Sequence, residues 1–146
     1  MARLFIDKKV EINAPPAMVW DVLTKSEYTN QWAKEFWWNM TVVSDWKLGS
    51  PVLWKNPEWK VEVEGNVTMV NPWVFLRFTV FDVSTWRIEV SDDDGITFEL
   101  EDRGDKTLLH LTHGDFSVMD EGQKFYDMTL ESWESVLPKI KELSEM

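Results

Sequence analysis

Residues 120–143 read DEGQKFYDMTLESWESVLPKIKEL, and this stretch decides the architecture. Tyr126, Leu130, Trp133, Leu137 and Ile140 recur at spacings of four and three, which lays one continuous apolar stripe along a helix. The spacing predicts a long amphipathic helix over 120–143. Pro138 sits late in it and removes one backbone hydrogen bond, so a bend or a split is expected in the last two turns. An amphipathic helix needs an apolar surface to cover, and the segments before it supply one.

Those segments alternate with period two. Leu4, Ile6, Val10 and Ile12 share one parity over 3–12. Lys8 interrupts that parity, which suits a bulge, a sheet edge or a cavity position. Asn13-Ala14-Pro15-Pro16 ends the strand and opens a helix over 16–23, proline being acceptable in a first helical turn. Ser26 is placed to cap a second short helix over 27–32. Strands are then expected over 37–46, 51–54, 59–70 (Val61, Val63, Val67 and Met69 on one face) and 74–80 (Val74, Leu76, Phe78 and Val80). Further strands are expected over 96–102 (Ile96, Phe98 and Leu100) and 106–113 (Leu109, Leu111 and His113). Residues 86–90 suit a short strand or an ordered loop. Short turns between strands give an antiparallel meander. The expected fold is therefore α+β. A curved antiparallel sheet of about six or seven strands wraps a long C-terminal helix, with two short helices after the first strand. A curved sheet and a straight helix leave a gap between them, a natural cavity.

Composition bounds the function. The chain has 146 residues, read as a single domain over 1–146. It has no cysteine, which excludes disulfides, thiolate metal sites and a thiol nucleophile. Fifteen basic residues stand against 26 acidic ones, a net charge of −11. Such a chain repels nucleic acid and anionic membranes unless it carries a local basic patch. No run is long enough for a membrane span, and the first residues lack the apolar core of a signal peptide, so a cytoplasmic location is expected.

Few residues suit catalysis. His110 and His113 lie three apart in one strand and face opposite ways, so they cannot share a metal. His113 has the inward parity and suits either a ligand contact or a structural role. The glutamates of the 59–70 and 96–102 strands face outward. Asp92-Asp93-Asp94-Gly95 lacks the spacing of a calcium loop and reads as a turn. No nucleophile elbow or phosphate-binding glycine loop is present. No catalytic residue, metal or cofactor is therefore assigned. Ten tryptophans are the unusual feature. Trp32, Trp54, Met69, Phe78, Trp86, Phe98, Leu130 and Trp133 are candidates to line the cavity, with His113, Tyr126 and Thr129 supplying polar contacts. The same aromatics can equally fill the space as core.

Four segments carry a family resemblance. They are Val10-Glu11-Ile12-Asn13-Ala14-Pro15-Pro16-Ala17-Met18-Val19-Trp20-Asp21-Val22-Leu23-Thr24, Ser44-Asp45-Trp46-Lys47-Leu48-Gly49-Ser50-Pro51-Val52, Thr107-Leu108-Leu109-His110-Leu111-Thr112-His113-Gly114-Asp115-Phe116 and Ser132-Trp133-Glu134-Ser135-Val136-Leu137. In this order they resemble the START-like (SRPBCC), helix-grip superfamily, and within it the branch named after the activator of heat-shock protein 90 ATPase. The resemblance implies a cavity between sheet and helix that often holds apolar small molecules. The leading expectation is a module binding a small apolar or aromatic molecule. The alternative is a chaperone-linked or other protein-interaction domain, and a cyclase- or hydrolase-type enzyme ranks third. A monomer or a weak homodimer is expected.

Overall fold

The computed structural model describes residues 5–35, 40–79, 81–82, 95–114, 116 and 122–145. In chain order the elements are β1 (Ile6–Ile12), α1 (Pro16–Thr24), α2 (Ser26–Trp32), a 3-10 turn (Ala33–Glu35), β2 (Thr41–Val43), β3 (Pro51–Lys55), β4 (Val61–Asn71), β5 (Phe75–Thr79), β6 (Phe81–Asp82), β7 (Gly95–Asp102), β8 (Thr107–Gly114) and α3 (Gly122–Glu145). The main sheet path runs β1-β8-β7-β5-β4-β3-β2, with β6 paired to β4. All these pairings are antiparallel. The curled sheet grips α3, as the alternation and the helical stripe predict.

Curvature has a local cause. Gly65 approaches β5 so closely that a Cβ there would lie 1.8 Å from the Thr79 carbonyl oxygen. A Cβ on Gly95 would lie 2.1 Å from the carbonyl oxygen of Phe78. Thr79 pairs with Gly95, and Gly95 pairs with Gly114. Glycines on β4 and β7 thus flank Thr79 of β5, with Gly114 of β8 beside Gly95, and at Gly65 and Gly95 the backbones press together and the sheet folds inward.

A second irregularity corrects the reading of β4. The β4–β5 register shifts between Val67 and Met69. Val67 is buried, but the extra residue at Thr68 turns Met69 outward, where it is 49% exposed. Alternation carried through from Val61 misses this bulge.

The helices also differ from the sequence reading in detail. Lys25, not Ser26, is the N-cap of α2, and no side chain caps it. Backbone groups do the work instead. Lys25 N–H donates to the Asp21 carbonyl, and the Lys25 carbonyl accepts from the N–H groups of Tyr28 and Thr29. One extended residue therefore ends α1 and starts α2. The helix α3 runs unbroken past Pro138. Pro138 and Glu134, four residues earlier, are both exposed, so water can satisfy the carbonyl that the proline leaves without a donor.

β1 is an edge strand with an unshifted register to β8, which settles Lys8 as an edge residue; it lies 4.0 Å from Glu134 on α3. The last turn of α3 closes over the end of this strand. Lys141 Nζ donates to the Glu11 carbonyl at 3.2 Å, and Glu145 Oε2 accepts the Asn13 N–H at 2.9 Å. Lys141 and Glu145 are themselves paired.

Three tryptophans adopt left-handed backbone: Trp46 (φ 57°), Trp59 (φ 63°) and Trp73 (φ 71°). Asn71-Pro72-Trp73-Val74 closes with a Val74 N–H to Asn71 carbonyl bond, a type II turn whose third position ordinarily takes glycine. A bulky residue there costs on the order of 1–3 kcal/mol.

Two outcomes follow. Gly65→Ala and Gly95→Ala should each lower unfolding free energy by about 1–3 kcal/mol or more, read by urea denaturation, while an alanine at exposed Gly49 meets no neighbour and bears only the cost of its left-handed backbone (φ 84°). Glu145 is held below its ordinary value of 4.5, first by the Lys141 hydrogen bond and then by the Asn13 N–H. A depressed carboxylate stabilises the fold above its ordinary value, and this contribution is lost as pH falls through the lower folded value. Glu145→Gln should therefore flatten the acid limb of a Tm-against-pH curve.

Candidate functional site

Inward parity on β5, β7 and β8, together with the apolar stripe of α3, brings aromatic rings into one path through the core. Trp46 meets Phe78 at 5.2 Å between ring centroids, Phe78 meets Phe98 at 6.3 Å, and Phe98 meets Trp133 at 6.0 Å. Trp133 meets His113 at 6.2 Å, His113 meets Phe116 at 5.0 Å, and Phe116 meets Tyr126 at 5.9 Å. Most of these contacts are edge-to-face, which places a positive ring edge against a negative ring face. Trp32 and Trp54 meet at 6.3 Å. Trp32 is fixed by its indole N–H, which donates to the Val22 carbonyl at 2.7 Å.

The path changes character along its length. Phe78, Phe98 and Trp133 are fully buried, and Trp32, Trp54 and Thr129 are buried as well. His113, Tyr126 and Leu130 are only half-buried, as is Trp46 at the other end, while Phe116 between His113 and Tyr126 is buried. Of the predicted lining residues, the structure therefore brings Phe78, Phe98, His113, Tyr126 and Trp133 into one ring path and sets Trp32 against Trp54. Thr129 and Leu130 share α3 with Tyr126 and Trp133. Met69 stands on the outer surface because of the β4 bulge and does not join them. Trp86, the strand or loop over 86–90 and the aspartates of 92–94 lie outside the described residues.

Two residues join the path without having been predicted. Phe116 lies beyond the end of β8, where strand parity no longer applies. Trp46 lies in the irregular segment after β2, where its left-handed backbone redirects the chain. The signals for both were their aromatic character and their places in the segments that carry the family resemblance.

His113 is the one polar ring in the path. An indole N–H can only donate, and that of Trp133 lies 3.0 Å from His113 Nδ1. Nδ1 therefore accepts, and the proton of the neutral imidazole sits on Nε2. Burial among these rings pushes His113 from 6.5 down to about 3. It is a neutral donor at physiological pH. His110 faces the other side of the sheet, as the spacing requires, with Asp7 at 2.7 Å and Glu99 at 3.3 Å. Among the described residues, no group of three His, Asp or Glu side chains is arranged to hold a metal. No helix among them is long and apolar enough to cross a membrane.

A curled sheet gripping a C-terminal helix around an aromatic interior defines the helix-grip class. Residues 13–145 match the family described as Activator of Hsp90 ATPase homolog 1-like protein, and the chain belongs to that family. Its fold is similar to that of the Aha1 dimer from Colwellia psychrerythraea, at 20% identity and a TM-score of 0.72, covering 98% of this chain and 97% of the other. It is similar to a protein from Mesorhizobium loti, at 18% identity and a TM-score of 0.75, covering 96% of each chain. It is also similar to an HSP90 activator from Plasmodium falciparum, at 14% identity and a TM-score of 0.70, covering 94% of this chain and 93% of the other. Among curated proteins none matches this chain.

The pH dependence of His113 has a definite sign. A histidine depressed by burial stabilises the fold fully above 6.5, and this stability is lost as pH falls toward about 3, because the unfolded ring gains a proton that the folded ring refuses. His113→Gln should remove part of the acid destabilisation of the parent, measured as ΔG of unfolding across that pH interval.

Proposed function

We propose that this domain binds a small apolar or aromatic molecule between the sheet and α3, at the α3 end of the ring path. The observation that carries the reading is that half-buried His113, Tyr126 and Leu130 gather around buried Phe116 at the α3 end of the path, next to fully buried Phe98 and Trp133. Rings at that end offer edges and faces to a flat or apolar ligand. The neutral His113 Nε2–H offers one hydrogen bond to a carbonyl or hydroxyl oxygen, which would orient it. Binding needs no cofactor, and no catalytic role is assigned. The proposed setting is the cytoplasm, as a monomer or weak homodimer.

A second reading, a chaperone-linked interaction domain, is favoured by the family description and by the likeness to the Plasmodium HSP90 activator. The two readings separate experimentally. Fatty acids, flavonoids, bile acids and simple aromatics are screened by thermal shift. A ligand at about 100 times its Kd should add about 2.7 kcal/mol of stability. Leu130→Trp, which fills the α3 end of the path, should abolish the shift while keeping the parent circular dichroism. No shift for any compound removes the small-molecule reading and leaves the interaction reading.

A further inference from the structure

We propose that the free end of β4 is a docking site for an extended acidic–apolar peptide segment of a partner protein, which adds as a strand beside Thr68–Asn71. The site is separate from the aromatic interior and does not rest on the ligand-binding reading.

β3 ends opposite Asn66, so its ladder with β4 stops there. The turn Lys47-Leu48-Gly49-Ser50 carries the edge one residue further, through Gly49 N–H to Val67 carbonyl and Val67 N–H to Ser50 carbonyl bonds. Beyond Val67, no strand among the described residues pairs with β4 on that side, although β4 continues to Asn71. An open run of four residues spans about 13 Å, enough for a short strand to add.

The side chains around this run are those of an interface. Leu48 is 71% exposed, Met69 49% and Trp73 58%. Met69 faces outward beside its register partner Arg77. Trp73 occupies the left-handed turn position where glycine would relieve both backbone strain and exposed aromatic surface. The other exposed hairpin tryptophan, Trp59, lies under Lys55 Nζ at 5.1 Å, whereas Trp73 meets no cation or ring among the described residues. A strained and exposed tryptophan next to an open strand is the arrangement expected of a recognition residue.

Charge selects the partner. The chain carries 26 acidic residues, yet there is none in 47–50 or in 66–79. Lys47 and Arg77 are the charged residues of those stretches. Glu99 lies one strand further in, opposite Phe75. An apolar, basic end on an otherwise acidic molecule complements a strand alternating Asp or Glu with Val, Leu or Phe. A second copy would bring only Lys47 and Arg77 to this end and no acidic residue, so it lacks the complementary charge.

The test uses the full chain and fluorescein-labelled octapeptides that alternate Asp or Glu with Val, Leu or Phe, against the same peptides with Lys for the acids. Anisotropy should show saturable binding of the acidic set, weakened by salt, and amide shift changes should centre on Thr68–Asn71. Trp73→Gly should weaken binding about tenfold or more while Tm stays equal to or above the parent's, which separates recognition from folding. Lys47→Glu should weaken the acidic set and strengthen the lysine set. Equal binding of both sets, no binding of either, shifts centred elsewhere, or unchanged affinity in Trp73→Gly would each overturn the proposal. A concentration-dependent dimer lost in Trp73→Gly would overturn it in favour of a second copy.

Discussion

The close approach of β5 to its neighbours at Gly65 and Gly95 is the constraint on which the rest of the molecule depends. With backbones in contact at both glycines, the sheet bends without a gap, and its inner face becomes concave. Only a concave face can present Phe78 and Phe98 on one side of α3 and His113 a ring away from Trp133. A side chain on either glycine would push the strands apart and flatten the bend, and the rings would lose their edge-to-face contacts. The aromatic interior is thus a consequence of two residues that contribute no side chain to it.

The interior in turn fixes the chemistry of its one imidazole. Trp133 is a donor and cannot be otherwise, so His113 must accept at Nδ1. Packing against Phe116 and Trp133 strips away part of the water that an imidazolium would need, and the ring stays neutral. A polar side chain in such a place serves as a directional contact and not as a charge. The proposed binding of an uncharged molecule would draw on this contact, and a ring that stays neutral to about pH 3 is poorly placed to exchange a proton near neutral pH.

Much of the architecture was legible in the sequence because periodicity reports it directly. The stripe from Tyr126 to Ile140 gave α3, and alternation gave the inner faces of β1, β7 and β8 and, on β5, of Leu76 and Phe78; Val74 instead sits exposed in the turn before β5, and Val80 lies outside the described residues. What alternation cannot show is an inserted residue. One extra residue at Thr68 reversed the facing of Met69, and nothing in the side-chain pattern marks the bulge. The role of Gly65 and Gly95 was equally hidden, because a glycine in a strand signals a close approach without saying to what. Trp46 and Phe116 sit just outside regular strands, where parity has no meaning, and their places in the ring path depend on tertiary packing. Lys25 took the cap position expected of Ser26 because two helices share one extended residue, a joint that favours backbone bonds over a side-chain cap.

The last turn of α3 has a consequence for how the protein behaves in a crowd. β1 is the outer strand of a long sheet, and outer strands invite other chains to stack on them. Lys141 and Glu145 occupy one acceptor and one donor at its far end, each with a charge that an incoming strand would have to displace. The helix that fills the sheet's concavity therefore also works as a stopper against runaway polymerisation. Protection of this edge and closure of the core rest on the same few C-terminal residues, so shortening this helix by a turn would open the Glu11 carbonyl and the Asn13 N–H to an incoming strand as well as loosening the core.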